Sequence, residues 1–213
     1  MKSWAADHPK ARLMNRKRGD ILAAAKGAFL TVGYGGTSME SIAKTADVSI
    51  MTLYRHAESK DDLFGAVIAN ACAHDDPAEQ AMFAEIMMLP LGEALYQSAW
   101  HMQQTLLHAD TIALMRVVMA EQARFPQLAE LAYRGFIVRL EDVASLMLAE
   151  LAETRALPAA QRARLARAYI DRIVGADMLA LLLGLPGPSA DEQWRRAGLA
   201  RDEVLRALGD LRD

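Results

Sequence analysis

The stretch Thr37–Lys60, TSMESIAKTADVSIMTLYRHAESK, constrains the fold more than any other part of the chain. Helix starters and stops recur so closely in it that only short helices fit. Thr37 is expected to cap the first, with Glu40 completing a capping box. Met39, Ile42, Ala43 and Ala46 then recur at helical spacing and form a buried face. Asp47 and Val48 make the turn, and Ser49 caps a second helix. Leu53 points inward, leaving Ile50, Met51, Thr52, Tyr54, Arg55 and His56 mostly outside. Large apolar residues exposed at a helix start suit contact with thymine methyl groups in a DNA major groove. Ser59 caps a third element with Asp62 at its third position. Lys60 sits in its first turn, a poor place for a cation against the helix dipole unless an anionic partner meets it.

The charge pattern bears on the same end. Net charge is −3, yet residues 1–60 carry ten Lys or Arg against five Asp or Glu. Residues 61–213 carry fourteen Arg, no Lys and 22 acids. The pattern fits a basic, DNA-facing end on an acidic body, or equally a chance basic tail. Arg16, Lys17 and Arg18 cluster at an expected helix start, as phosphate contacts or as solvated charge. Asp20–Val32 reads as a helix with Ile21, Ala24, Ala25, Ala28 and Phe29 on one face, stopped by Gly33, Gly35 and Gly36.

Helix, glycine turn, Thr-Ser, an Ile-Ala pair, Ala-x-Val-Ser, Thr-Leu-Tyr, His and Ser-Lys-x-x-Leu together resemble the DNA-binding domain of the TetR family of bacterial transcriptional regulators. The resemblance covers about residues 17–65. It implies an all-α fold: an N-terminal three-helix helix-turn-helix DNA-binding domain (17–64) behind a flexible arm (1–16), and a C-terminal helical ligand-binding and dimerisation domain (65–213). It puts Thr37, Tyr54, His56 and Lys60 on phosphates, and Ser49, Ile50, Met51, Thr52 and Arg55 near base edges or the adjacent backbone. The sequence departs from the family pattern at Asp47, usually Gly, at Ala57, usually Phe, and at Ile50, where many members carry a polar or basic residue. The first requires a positive φ at a non-glycine residue.

Beyond residue 60 the chain reads as helix after helix: Lys60–His74, Ala78–Met88, Leu91–His108, Asp110–Arg124, Pro126–Thr154, Ala159–Leu183 and a last helix to Leu208 capped by Ser189 and Glu192. Asp75-Asp76-Pro77, Leu89-Pro90, Phe125-Pro126 and the run GLPGP after Leu183 separate them. Asp110–Arg124 is apolar almost all round, which predicts burial. The segment MRVVMAEQARFPQLAELAYRGF resembles the ligand-domain signature of the AefR-like TetR subgroup. The last two helices are too apolar to face water alone, and in the family they form a dimer interface.

Twelve methionines suit either an adaptable ligand lining or an ordinary core. Tyr96, Trp100, Met115, Met119, Tyr133, Phe136, Met147 and Met178 are the candidate ligand-binding residues, largely on the strength of the resemblance. Asp177 in its apolar run is free to meet a cationic ligand, an Arg or solvent. His101 and His108 share a helix face without a carboxylate at tight spacing, so no metal or other cofactor is expected. No glycine-rich phosphate loop, G-x-S-x-G or H-E-x-x-H occurs, so no catalytic residue is expected. The single cysteine, Cys72, excludes an intramolecular disulfide framework and fits a reducing, cytoplasmic compartment. The most apolar run, residues 173–185, is too short to span a bilayer.

The expected partners are double-stranded operator DNA, a second copy of the chain through the last two helices, and a small apolar or amphipathic effector. A repressor released by that effector is the leading reading. An activator or ligand-independent regulator of the same fold is the alternative, and a helical enzyme or carrier the remote one.

Overall fold

A computed structural model describes residues 9–71 and 77–210. Among them every regular element is helical: α1 (Pro9–Gly36), α2 (Met39–Thr45), α3 (Ile50–Tyr54), α4 (Lys60–Ala71), α5 (Pro77–Ile86), α6 (Leu91–Leu106), α7 (Ala109–Glu121), α8 (Gln127–Tyr133), α9 (Arg139–Glu150), α10 (Ala159–Leu182) and α11 (Ala190–Asp210). A π-turn, Arg134–Val138, joins α8 to α9. Cys72 and the Asp75-Asp76 cap lie outside the described residues.

The helices form two compact units. One gathers the chain up to Ala71 with Ala113–Ala132, and the other holds the remaining described residues.

In the first unit, α1 buries Ile21, Leu22, Ala25 and Phe29. It begins at Pro9, so residues 9–16, expected to be a flexible arm, are helical. Its helical path breaks at Gly33, whose φ of 81° and ψ of 168° favour glycine. The break swings Tyr34 into the core, 5.7 Å from the Phe29 ring, 5.3 Å from Phe64 and 4.9 Å from Phe125. α4 adds Leu63, Phe64, Val67 and Ile68. Residues 113–132 belong here because of specific bonds. Glu121 Oε1 accepts from the Gly35 N–H at 2.9 Å, and Gln127 Nε2 donates to an Asp61 carboxylate oxygen at 3.0 Å. The Tyr34 hydroxyl also donates to Asp61.

The capping expected of Thr37 is taken by its neighbour. Ser38 Oγ accepts from the Ser41 N–H at 3.1 Å, and Ser41 Oγ accepts from the Ser38 N–H at 3.3 Å. The capping box is therefore Ser38–Ser41, and Glu40 is an exposed first-turn acid. The Thr37 side chain turns inward instead, donating to Gly33 O at 2.7 Å.

The second unit packs α6 on α11, and α10 on α9 and α11. The Tyr169 hydroxyl donates to Leu95 O and lies 2.8 Å from Ser98 Oγ. Burial pushes its phenol pKa well up. Trp194 on α11 stacks on Trp100 at 4.8 Å and meets Tyr96 at 5.2 Å. The capping box at Ser189 and Glu192 is present: the Ser189 N–H donates to Glu192 Oε2 at 2.7 Å, and Ser189 Oγ accepts from the Glu192 N–H at 3.3 Å.

Two helices depart from their expected regularity. The stretch after Pro126 contains the π-turn. α10 breaks at Gly175, whose φ is 50° and ψ −160°. The break makes room for Arg196, whose guanidinium would lie 1.7 Å from a Cβ added at Gly175. Arg196 then pairs with Asp177 at 2.6 Å, so Asp177's partner is an Arg of its own chain. The all-round burial expected of Asp110–Arg124 is partial: Ile112, Leu114 and Val118 are buried, but Met119 is exposed.

Asp47 adopts the positive φ its turn requires, at 52°. An L-residue with a Cβ is strained in this conformation, and glycine is not. Asp47→Gly is therefore expected to raise stability by about 0.5–1 kcal/mol, read as a higher denaturant midpoint at unchanged m-value.

Candidate nucleic-acid interface

The interface is built on a helix too short to stand alone. α3 has 5 residues, far fewer than an isolated helix needs in water. Two devices hold it. Ser49 Oγ accepts from the Thr52 N–H at 3.2 Å and lies 2.9 Å from Thr52 Oγ1. Leu53, fully buried, ties the helix to the core. With those two inward ties made, the rest of α3 faces out. Met51 is 70% exposed, Tyr54 and Arg55 are exposed, and Ile50, Thr52 and His56 are half-buried.

The positive field comes from two elements. The His56 pKa is lowered from its ordinary value, first by burial and then by Arg18, Arg55 and Lys17. Arg18 and Lys17 lie on α1, exposed, so the basic cluster of the N-terminal helix and the basic end of α3 act on one imidazole. These two α1 residues belong to the candidate surface although the motif positions do not include them. The basic run Arg16–Arg18 was the signal for them in the sequence.

The lowered His56 pKa has a sign that can be tested. The unfolded chain takes up the His56 proton at a higher pH than the folded chain, so stability falls as pH drops from about 6.5 toward the folded-state value. The wild-type Tm is expected to fall more between pH 7.5 and 5.5 than that of His56→Gln. Equal losses would mean that neither burial nor the surrounding cations lower the His56 pKa.

Two phosphate contacts implied by the resemblance are otherwise engaged. Thr37 is only 4% exposed, its hydroxyl spent on Gly33 O. Lys60 Nζ donates to Tyr34 O at 2.9 Å and Thr37 O at 3.0 Å, and sits 4.4 Å from the centre of the Tyr34 ring. In place of an anion, the ammonium of Lys60 meets neutral carbonyl oxygens at and just after the C-terminal end of α1, and so joins α4 to α1. Ser49, Ile50, Met51, Thr52, Tyr54, Arg55 and His56 remain together on or beside α3.

The ligand candidates do not converge in the same way. A groove of about 470 Å³ runs between α5 and α9. Met147 lines it, beside Gln80, Phe83 and Ala84 of α5, Met87 in the turn that follows, and Arg139, Val143, Leu146 and Glu150 of α9. The other seven candidates are elsewhere. Tyr96 and Trp100 brace Trp194, Phe136 and Met178 are core, Met115 is half-buried, and Met119 and Tyr133 are exposed at 53% and 50%. Aromatic and methionine content marked apolar helix faces without distinguishing packing from lining. Among the described residues no group of His, Cys, Asp and Glu is placed to hold a metal ion, and no helix is long and apolar enough to cross a membrane.

Two family models match the chain. Residues 21–67 match the model for bacterial regulatory proteins of the tetR family. Residues 93–205 match the model for the C-terminal domain of AefR-like transcriptional repressors.

The chain belongs to the TetR family.

It is a TetR-family transcriptional regulator with a DNA-binding domain. Solved structures show the same fold. A TetR-family regulator from Mesorhizobium loti MAFF303099 is 24% identical, with 91% of this chain and 97% of that one covered and a TM-score of 0.72. The flavonoid-responsive regulator FrrA is 28% identical over the same shares, with a TM-score of 0.66. NalD, the secondary repressor of the MexAB-OprM multidrug efflux pump in Pseudomonas aeruginosa, is 22% identical over 92% of this chain and 96% of its own, with a TM-score of 0.53. No curated protein matches the sequence.

Proposed function

We propose that the chain is a repressor that binds a palindromic operator as a homodimer and leaves it when a small apolar or amphipathic molecule occupies the second unit. The observation that carries the DNA-binding half is the outward face of α3, fixed by the Ser49 cap and buried Leu53, in a unit that also exposes Lys17, Arg18 and Arg55. Cations supply affinity by displacing counterions from phosphates, while Thr52, Met51 and Ile50 are left to read base edges and thymine methyls. One five-residue helix reads few base pairs, so two half-sites a helical turn apart are needed for useful specificity. The dimer surface we assign is the exposed leucine set of Leu179 on α10, Leu183 at its C-cap, and Leu199 and Leu205 on α11.

Release has a physical route. α7 starts at Ala109 and its residues from Ala113 onward belong to the DNA-binding unit. A ligand that prefers a shifted α7 would move Glu121, Phe125 and Gln127, and with them Gly35, Tyr34 and Asp61. The ligand must favour the non-binding state, or it changes nothing.

The test is operator selection from a random duplex pool, followed by binding measured across salt. A palindromic site with a steep negative log–log salt slope is expected. Recovery of no enriched sequence, or binding indifferent to salt, would sink the repressor reading.

A further inference from the structure

The groove between α5 and α9 carries one feature that apolar packing does not explain. Its walls are apolar: Phe83 and Met87 on one side, Val143 and Met147 on the other. At one end of the α9 wall is Arg139, half-buried, with no ion-pair or hydrogen-bond partner for its guanidinium among the described residues. A partly buried guanidinium with no protein anion beside it is left available to an anionic ligand. The cation also stands directly after the π-turn. Its own N–H donates to Arg134 O, five residues back. Such single-turn insertions into a helix are frequent at functional sites.

The other end of the wall has the opposite sign. Glu150 lies eleven residues further along α9, a rise of about 16 Å. Between the two charges the α9 face is Val143 and Met147, with Leu146 beside them left exposed. The groove thus offers a cation, an apolar run and an acid, in that order. Its 470 Å³ lies within the range of small-molecule sites.

We infer that this groove binds an elongated apolar molecule carrying one negative charge, its anionic head on Arg139 and its tail along Val143 and Met147 toward Glu150. The inference rests on the ligand-release reading above and names its ligand class and anchor. Arg139 provides a planar pair of donors that matches a carboxylate. Tail burial against Phe83, Met87 and Met147 supplies the apolar contribution. Glu150 sets the polarity of entry and excludes a second anion at the far end. A dicarboxylate of the same length would put like charges together there.

The experiment is calorimetric titration of the full-length chain with three probes of one length, each below its micelle-forming concentration: dodecanoate, 1-dodecanol and dodecanedioate. Dodecanoate is expected to bind saturably, one per chain, and tighter than the other two. In Arg139→Gln its affinity falls by about ten- to a hundredfold, while dodecanol affinity does not change. Ala84→Trp, made at an exposed position that lines the groove, abolishes dodecanoate binding. Non-saturable uptake, equal affinity in Arg139→Gln, or dodecanedioate binding as tightly as dodecanoate would overturn the assignment. Operator affinity is measured on the same samples. Dodecanoate bound through Arg139 with operator binding unchanged supports the site and refutes ligand release. Operator release by another compound in a chain that takes up no dodecanoate refutes the site and leaves ligand release standing.

Discussion

Leu53→Ala is expected to cost about 2–5 kcal/mol and to abolish operator binding at temperatures where most of the chain is still folded. Leu53 is fully buried and is the single inward-facing side chain of the 5-residue α3. Its removal takes away transfer energy and leaves a cavity that a five-residue helix cannot close by shifting as a whole. The Ser49 cap remains, but a cap contributes only about 1 kcal/mol. Against a typical domain stability of about 5–15 kcal/mol, the loss is large and falls on the element that reads DNA. Thermal unfolding by circular dichroism gives the stability change, and fluorescence anisotropy on the selected operator gives the binding. A Leu53→Ala chain that bound its operator at wild-type affinity would show that α3 is held by something other than its core contact.

The second large effect is expected from Leu179→Glu combined with Leu183→Glu. Both side chains are exposed in the single chain, four residues apart on one face near the end of α10. Surface substitutions of this kind move the stability of a folded subunit by no more than about 0.5 kcal/mol. In a paired interface the same carboxylates would be desolvated against a second copy, without partners. The double variant should run as a monomer in sedimentation while keeping its helical spectrum. Its specific operator affinity should fall by about a thousandfold or more, toward the non-specific level, because a single half-site remains. A variant still dimeric at micromolar concentration would move the interface away from these leucines.

The two substitutions differ in kind. Leu53 acts through the stability of one unit, so its effect on DNA follows from a local structural loss. The α10 leucines act through assembly, so DNA binding fails with each subunit intact. Measuring helicity beside operator affinity separates them.

What the sequence by itself determined is local. The all-α class, the short paired helices, the turn with positive φ at Asp47, the Ser49 and Ser59 caps and the Ser189–Glu192 box all follow from residue types a few positions apart. The motif residues on α3 were legible for the same reason: one cap and one buried leucine fix the rotation of a five-residue helix, and every other side chain follows. The cap at Ser38 shows the limit of this reasoning. Thr37 and Ser38 are chemically interchangeable as caps, and the Gly33 break decided between them by turning Thr37 inward.

Tertiary structure decided the long-range partners. Lys60 finds carbonyls 26 and 23 residues earlier in the chain, and Glu121 meets an N–H 86 residues away. Gly175 leaves the helix to admit Arg196, which then neutralises Asp177. Neither helical periodicity nor residue type encodes such pairings, because they depend on how separate helices rotate and slide against one another. The same reason explains the ligand candidates. A methionine or tryptophan at core spacing looks alike in sequence whether its neighbour is another helix or an open groove. Only the placement of α5 against α9 separates Met147, on the groove, from Met178 in the core and from Met119 on the surface.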